Sequence, residues 1–289
     1  MRTDRDIIIR TDEKLLHLTS LPYTVQRTSG FDTVSVKHNT SQGYGQDGAT
    51  LLGSSVNTRS LRIEGQIYAT TNESMEALRL QLLNMFKPKT DILITQEFGG
   101  VKKTIIARAS KTPKIDFSEV SVIQNYSVEL VAMTPYWEDY ETNIVEIADV
   151  AGGLHFPLQT PTCFGIKRAS MIAVVTNEST DEIGMVIRFI AHGIVSNPGL
   201  LNIYTQEYIK VNCIMADGEV ITVTTGDKKT VVQRINGADN NYIGHIDLIG
   251  GGYTFLTLAP GDNTFRMMAD VGESMLETQI IYKNRYAGV

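Results

Sequence analysis

The side chains with the most chemistry to offer are five histidines, two cysteines and one glycine-rich segment, and their spacing argues against most of it. His17, His38, His155, His192 and His245 contain no HxxxH or HExxH pair, the spacing that puts two imidazoles on one helix face around a metal. Cys163 and Cys213 have no histidine beside them in sequence, and no GxSxG elbow is present, so no activated nucleophile is visible. They read as buried, reduced thiols rather than a disulfide or a redox pair. Gly43-Tyr44-Gly45-Gln46-Asp47-Gly48 matches GxGxxG formally. A dinucleotide site needs a helix N-terminus directly after that turn to receive the pyrophosphate. Residues 49–55 offer no amphipathic helix, so the segment reads as a turn. There is no GxxxxGK[ST] loop. Carboxylates are scattered, and a glycosidase pair on a β-sandwich would form only in space. The sequence therefore supports no enzyme, no metal and no cofactor. Asn39, Asn72, Asn125 and Asn177 fit N-x-[ST], which carries meaning only in a secreted chain.

Composition narrows the class further. At 289 residues, with 42% hydrophobic and 20% charged residues, the chain has material for two cores and none of the bias of a disordered protein. No apolar run reaches the roughly 20 residues that cross a bilayer, and Met1-Arg2-Thr3-Asp4-Arg5-Asp6 has no apolar signal segment. Synthesis and assembly in a cytoplasm, without membrane insertion, are expected. Net charge is −6, with 16 Lys/Arg against 17 Asp/Glu in residues 1–142 and 10 against 15 in residues 143–289. The acidity sits in the second half, and a stable nucleic-acid partner, which needs a basic face, is not expected.

The elements that must position any site follow from periodicity. Residues 27–58, rich in Ser, Thr, Gly and Asn, read as strand and long loop, with Phe31, Val34, Val36, Leu51 and Leu52 as their apolar anchors. Arg59 to Tyr68 alternates with Leu61, Ile63 and Ile67 on one face and Arg62, Glu64 and Gln66 on the other. That predicts a strand either wetted on one side or paired there with another subunit. Thr70-Thr71-Asn72-Glu73 reads as a capping box opening a helix to about Lys87, stopped by Pro88. Met75, Leu78, Leu82, Leu83, Met85 and Phe86 form its apolar face. Residues 91–97 and 101–110 predict a hairpin about Phe98-Gly99-Gly100, with Lys102-Lys103 as a solvated tip. The strand ending at Met133 meets Thr134-Pro135-Tyr136-Trp137, where Pro135 stops pairing. Pro135, Tyr136 and Trp137, followed by acidic Glu138-Asp139-Tyr140-Glu141, suit an interdomain hinge wedged between two bodies. Beyond it, strands are predicted at 172–176, 185–191, 201–204, 208–214, 220–224, 230–235, 242–246, 254–257, 264–268 and 276–282, with Gly and Asp turns between. The fold class is β-rich: an N-terminal α+β domain, then an antiparallel β-sandwich of jelly-roll type. The boundaries are 1–137, a linker with entry strands at 138–168, and 169–289.

Several stretches, taken in order, resemble the siphophage distal tail protein family, also called Dit. They are Gly45-Gln46-Asp47-Gly48, Arg59-Ser60-Leu61-Arg62-Ile63-Glu64-Gly65, Leu82-Leu83-Asn84-Met85-Phe86-Lys87-Pro88 and Leu130-Val131-Ala132-Met133-Thr134-Pro135-Tyr136-Trp137. In the second half come Gly218-Glu219-Val220-Ile221, Leu256-Thr257-Leu258-Ala259-Pro260-Gly261-Asp262-Asn263 and Tyr282-Lys283-Asn284-Arg285-Tyr286-Ala287-Gly288-Val289. The resemblance implies a structural, non-catalytic part of a phage or prophage tail tip, located in the virion. The first domain would form a homohexameric ring continuing the tail tube, and the second a galectin-like sandwich outside it. Its partners would be further copies of itself, the tail tube protein, a tail-associated hub or fibre protein, and receptor-binding proteins. An acidic balance would keep DNA from sticking in the lumen. The ring-interface candidates are Arg59, Leu61, Arg62, Ile63, Glu64 and Ile67. The second half leaves no room for an added sugar-binding insert. The alternative is a non-catalytic carbohydrate-binding sandwich for host cell-wall recognition. Against it, residues 143–289 hold no Trp, and Tyr204, Tyr208, Tyr242, Tyr253 and Tyr282 mostly occupy strand positions suited to packing.

Overall fold

A computed structural model describes residues 5–11, 14–116, 122–148, 150–152, 165–167, 171–235 and 237–289. The chain divides into two compact units, Met1–Tyr140 together with Tyr286–Val289, and Glu141–Arg285. Both boundaries differ from the sequence reading. The first unit runs past Trp137 and takes in residues 286–289, and the region expected to be linker, 138–168, begins inside a first-unit strand, Trp137–Asp139, before reaching the second unit's strand Asn143–Ala148.

The first unit holds β1 (Arg5–Arg10), β2 (Leu15–His17), β3 (Tyr23–Ser29), β4 (Val36–Ser41), β5 (Thr50–Val56) and β6 (Arg59–Tyr68). After α1 (Asn72–Met85) come β7 (Ile92–Phe98), β8 (Val101–Ala109), β9 (Lys114–Ile115), β10 (Ile123–Ala132) and β11 (Trp137–Asp139). Antiparallel pairing orders the main sheet β2-β1-β7-β8-β10-β6-β3. Strands β8 and β10 share only the pairs Leu130↔Ala109 and Val131↔Arg108, a narrow seam between two well-paired halves. Both halves feed one core, with Ile7, Ile9, Ile94 and Ile105 from one and Leu61, Ile63, Val128 and Leu130 from the other. The turn joining β7 and β8 has Gly99 at φ 59° and Gly100 at φ 83°, the left-handed pair that a two-residue hairpin requires.

Helix α1 closes this core through Met75, Leu82, Met85 and the capping Phe86. Its N-terminus corrects the expected box by one partner. Thr71 is the cap, accepting from the Ser74 amide at 3.2 Å, and the Ser74 hydroxyl accepts from the Thr71 amide at 3.0 Å. Glu73 lies in the first turn, where a carboxylate suits the positive end of the helix dipole. The Tyr23 hydroxyl donates to the Leu78 carbonyl at 2.9 Å, tying α1 to β3, and burial pushes that phenol up to about 12.

In the second unit β12 (Asn143–Ala148), β13 (Val150–Gly152), β14 (Gly165–Lys167), β15 (Ile172–Asn177), β16 (Val186–Ala191), β17 (Val195–Ser196) and β18 (Gly199–Asn202) come first. They precede β19 (Tyr208–Lys210), β20 (Ile214–Met215), β21 (Val220–Thr224), β22 (Thr230–Ile235), β23 (Ala238–Asn241), β24 (Gly261–Met268) and β25 (Leu276–Tyr282). A six-stranded sheet, β12-β25-β16-β21-β22-β23, and a four-stranded sheet, β15-β24-β18-β19, share a core that includes Ile187, Phe189, Ile221, Val223, Phe265, Met267 and Ile280. This is the antiparallel sandwich that the strand spacing predicts. Two expected strands are absent: residues 243–245 form a 3₁₀ turn, and 254–257 belong to no strand. Short turn-flanked apolar runs do not distinguish these outcomes by period alone.

Asp270 pins three segments of this unit. It accepts from Lys210 Nζ at 2.7 and 2.9 Å and from Asn197 Nδ2 at 2.8 Å, and these bonds, the lysine's first, hold its carboxyl below the usual range. A carboxyl depressed on folding stabilises the fold above its unfolded value and loses that contribution as pH falls through the folded one. Asp270→Asn should therefore flatten the decline in the second unit's melting temperature below about pH 4, as read by calorimetry across pH. An unchanged acid limb would overturn the assignment.

Candidate functional site

Strand β6 was the expected ring surface, and its two faces have different fates. Arg59, Leu61, Ile63 and Ile67 are buried in the first unit's own core. Both edges of β6 are occupied, by β10 along Arg59–Tyr68 and by β3 from Arg62 to Ile67. Backbone pairing of this strand with another subunit is thus closed off, which corrects the reading of these four residues as interface. The other face is wetted, as the alternation predicts. There Arg62 Nη2 lies 2.6 Å from Glu64 Oε1, and Lys111 Nζ lies 2.8 Å from Glu129 Oε2. Hydrogen bonding to Lys111 holds the Glu129 carboxyl low. Gln66 donates to Asn125 Oδ1 at 3.0 Å, and Tyr68 to Gln66 Oε1 at 2.8 Å. Arg62 and Glu64 are therefore the members of the candidate set with side chains available outside.

Arg59 has a different task. It donates from Nη1 to the Phe31 carbonyl at 3.3 Å and from Nη2 to the Ala287 carbonyl. Burial lowers its pKa, with Asp32 opposing. Trp137 is fully buried and donates from Nε1 to the same Phe31 carbonyl at 3.2 Å, its ring 5.3 Å from the Phe31 ring. The expected hinge at Pro135-Tyr136-Trp137 is corrected accordingly. Trp137 begins β11, which pairs with β8 through Glu138↔Thr104 and Asp139↔Lys103, and its ring is a core member of the first unit. The chain crosses to the second unit only after Tyr140. One signal was present in the sequence: Arg59 is in phase with Leu61 and Ile63, so it had to face inward with them. Gly30, at φ 81°, enforces the close approach of the Phe31 segment, since a Cβ there would meet the Ser60 carbonyl oxygen at 1.9 Å.

Lys103 is likewise not a solvated tip. Its Nζ sits 3.5 Å from the centroid of the Tyr286 ring, and burial lowers its pKa. The GxGxxG segment caps a hairpin, as the turn reading predicts. Strands β4 and β5 pair with each other as a separate two-stranded ribbon, on which Val36, Tyr44, Leu51 and Leu52 are exposed.

The described histidines have separate local partners: Asp6 for His17, Ser54 for His38, Glu277 for His192 and the Tyr242 ring for His245. His155 and Cys163 lie outside the described residues. Cys213 is buried and free, its thiol pushed up to about 11 by burial and by Glu219. Among the described residues no group of three or more His, Cys, Asp or Glu could hold a metal ion, and no helix is long and apolar enough to cross a membrane. Of the five tyrosines expected to pack, Tyr282 is buried, whereas Tyr204 and Tyr253 are 75% and 55% exposed.

Comparison with known proteins gives this geometry a family. The phage tail protein RIFT-related domain matches residues 15–156, and the siphovirus-type tail component C-terminal domain matches residues 178–286. No curated protein sequence matches the chain. Among solved structures, the Dit protein of phage SPP1, described as a paradigm of the hub adsorption apparatus in phages infecting Gram-positive hosts, is 14% identical with a TM-score of 0.70. The alignment covers 97% of this chain and 99% of that one. A chain of the phage P2 baseplate in its activated conformation with calcium is 12% identical at TM-score 0.58, covering 99% of both chains. The strontium form of that baseplate gives 12% and 0.57 at the same coverage. With the two tail families matched in tandem along its two units, the chain belongs to the siphophage distal tail, or Dit, family of structural phage tail and baseplate proteins.

Proposed function

We propose that this protein is the hexameric hub ring of a phage or prophage tail tip, assembled in the host cytoplasm. It joins the tail tube protein above to a tail-associated hub or fibre protein and to receptor-binding proteins, without catalysis. The tandem order of the two tail families over the two units supports this reading. The first unit forms the ring. Two features of the first unit suit contacts between copies. The β4–β5 ribbon carries exposed apolar side chains, and among the described residues no third strand pairs with it; two strands alone are marginal in water. The polar outer face of β6, with Arg62 and Glu64, offers charge pairs at a rim. A closed ring would give each ribbon a seat on the next copy and leave no subunit unmatched.

The test is light scattering with negative-stain images of the purified chain over a concentration series. Six copies of a 32.0 kDa chain give a particle of about 190 kDa with a central hole. A closed ring of another copy number would overturn the hexamer. A monomer that stays monomeric when mixed with tail tube and hub proteins would overturn the hub. The second reading, a carbohydrate-binding sandwich, draws on the exposed Tyr204 and Tyr253 rings, which could stack on sugars.

A further inference from the structure

The outward face of the six-stranded sheet carries a cleft of about 390 Å³ lined by Arg188, Ile190, Val220, Thr222, Val232, Arg234 and Asp239. Strand pairing sets these side chains in two rows. Arg188, Thr222 and Val232 are register partners in one, and Ile190, Val220, Arg234 and Asp239 in the next. Alternation sends their neighbours Ile187, Phe189, Ile221 and Val231 into the core, so the floor stands on a packed sandwich and cannot collapse to fill the cleft.

The charges on this face are unequally satisfied. Arg234 is forked on Asp239, with Nε to Oδ1 at 2.7 Å and Nη2 to Oδ2 at 3.0 Å. Glu277, one strand over, is held by His192 Nε2 at 2.8 Å and by Gln279 Nε2 at 2.8 Å. Gln279 also reaches Glu146 at 3.3 Å. Arg188, exposed beside them, has neither an ion pair nor a side-chain hydrogen bond among the described residues. A guanidinium without a counter-ion, over an aliphatic floor, presents a planar fork to a carboxylate or phosphate. The cleft has the volume of a small-ligand site, with a few convergent polar groups on an apolar lining. Its described lining residues include no aromatic ring, so a neutral sugar would find nothing among them to stack on.

We propose that this cleft binds an anionic saccharide. Its carboxylate or phosphate pairs with the Arg188 guanidinium, its ring or chain carbons lie over Val220 and Val232, and its hydroxyls bond to Thr222 Oγ1 and to the free lone pairs of Asp239. The site rests on neither ring closure nor tail partners, so the particle-mass measurement and the binding measurement fail separately. It gives the saccharide-binding reading a location and a charge preference that the tyrosines do not.

The experiment is calorimetric titration of the full-length chain with D-glucuronate, glucose 6-phosphate and glucose as probes, repeated with R188A, R188K and R266A. Arg266 lies on the other sheet, exposed, in β24, so R266A makes the same charge change away from the cleft. Binding of glucuronate or of glucose 6-phosphate, weakened about tenfold or more by R188A and left intact by R266A, supports the site. The probe that binds more tightly identifies the anion. R188K should recover only part of the loss, because an ammonium cannot make the fork. R188A is an exposed substitution whose melting temperature is read alongside, which separates lost binding from lost fold. No heat from either anion at millimolar concentration would overturn the proposal. So would equal binding by glucose, or equal weakening by R266A.

Discussion

Trp137→Ala should lower the first unit's unfolding midpoint by roughly 10 °C and leave the second unit's in place. Deleting a fully buried indole from a core typically costs about 3–5 kcal/mol. In a unit of this size each kcal/mol is worth roughly 2–4 °C. Trp137 has no exposed surface, packs on Phe31 and donates to its carbonyl, so little relaxation can fill the space. Calorimetry with the two transitions resolved reads this directly. Trp137→Phe narrows the causes, since it keeps an aromatic ring in the core and removes the N–H donor together with the rest of the indole. Arg59 still serves the Phe31 carbonyl, so its cost should be well below that of Trp137→Ala. Trp137 is the sole tryptophan, so emission in the parent chain reports the first unit alone. If W137A moved only the second transition, or neither, the indole would be a hinge wedge and its placement in the first core would be wrong.

Excising the β4–β5 ribbon should abolish ring formation without unfolding the chain. Lys37 and Ser55 are register partners, so replacing residues 38–54 with Asn-Gly closes the ribbon with a turn that antiparallel strands accept. The ribbon's strands bond to each other and lie outside the main sheet order, and its side chains are absent from the core. The melting temperature should stay within about 2 °C, while the particle mass falls from that of the ring to that of one chain. A ring that survives excision would move the contact elsewhere, with the Arg62 and Glu64 face next to be charge-reversed. A large fall in stability would show that the ribbon packs on its own chain.

The contrast between these two regions shows where sequence reading succeeds. Period-two alternation placed β6, β10, β16, β21, β22 and β25 because one face of each meets a core, which forces apolar side chains to recur at every second residue. The helix was legible from its cap and its apolar face, although two hydroxyl residues in a row, Thr70 and Thr71, hid which one was the cap. The tryptophan was misread because its partners, Phe31, Arg59 and the final residues, are distant in sequence, and local pattern carries no record of them. The ribbon's segment read as strand and long loop with no strand bounds, because its strands are mostly exposed and no alternation marks them. Arg188 could be placed on an outward face by its phase, but its lack of a counter-ion is a property of four neighbouring strands. The boundary at Tyr140 falls within the acidic run Glu138-Asp139-Tyr140-Glu141, whereas the return of residues 286–289 had no compositional mark.

That return bears on the order of events during synthesis. The Ala287 carbonyl completes the Arg59 clamp, and Tyr286 receives Lys103, so the first unit, begun at the amino end, waits for residues translated after the whole of the second. At roughly 5–20 residues per second the delay is of the order of ten seconds, during which the sandwich can fold while its neighbour is incomplete. A nascent chain would then hold its first unit unfinished until residues 286–289 have been made, long after residues 5–140 have left the ribosome.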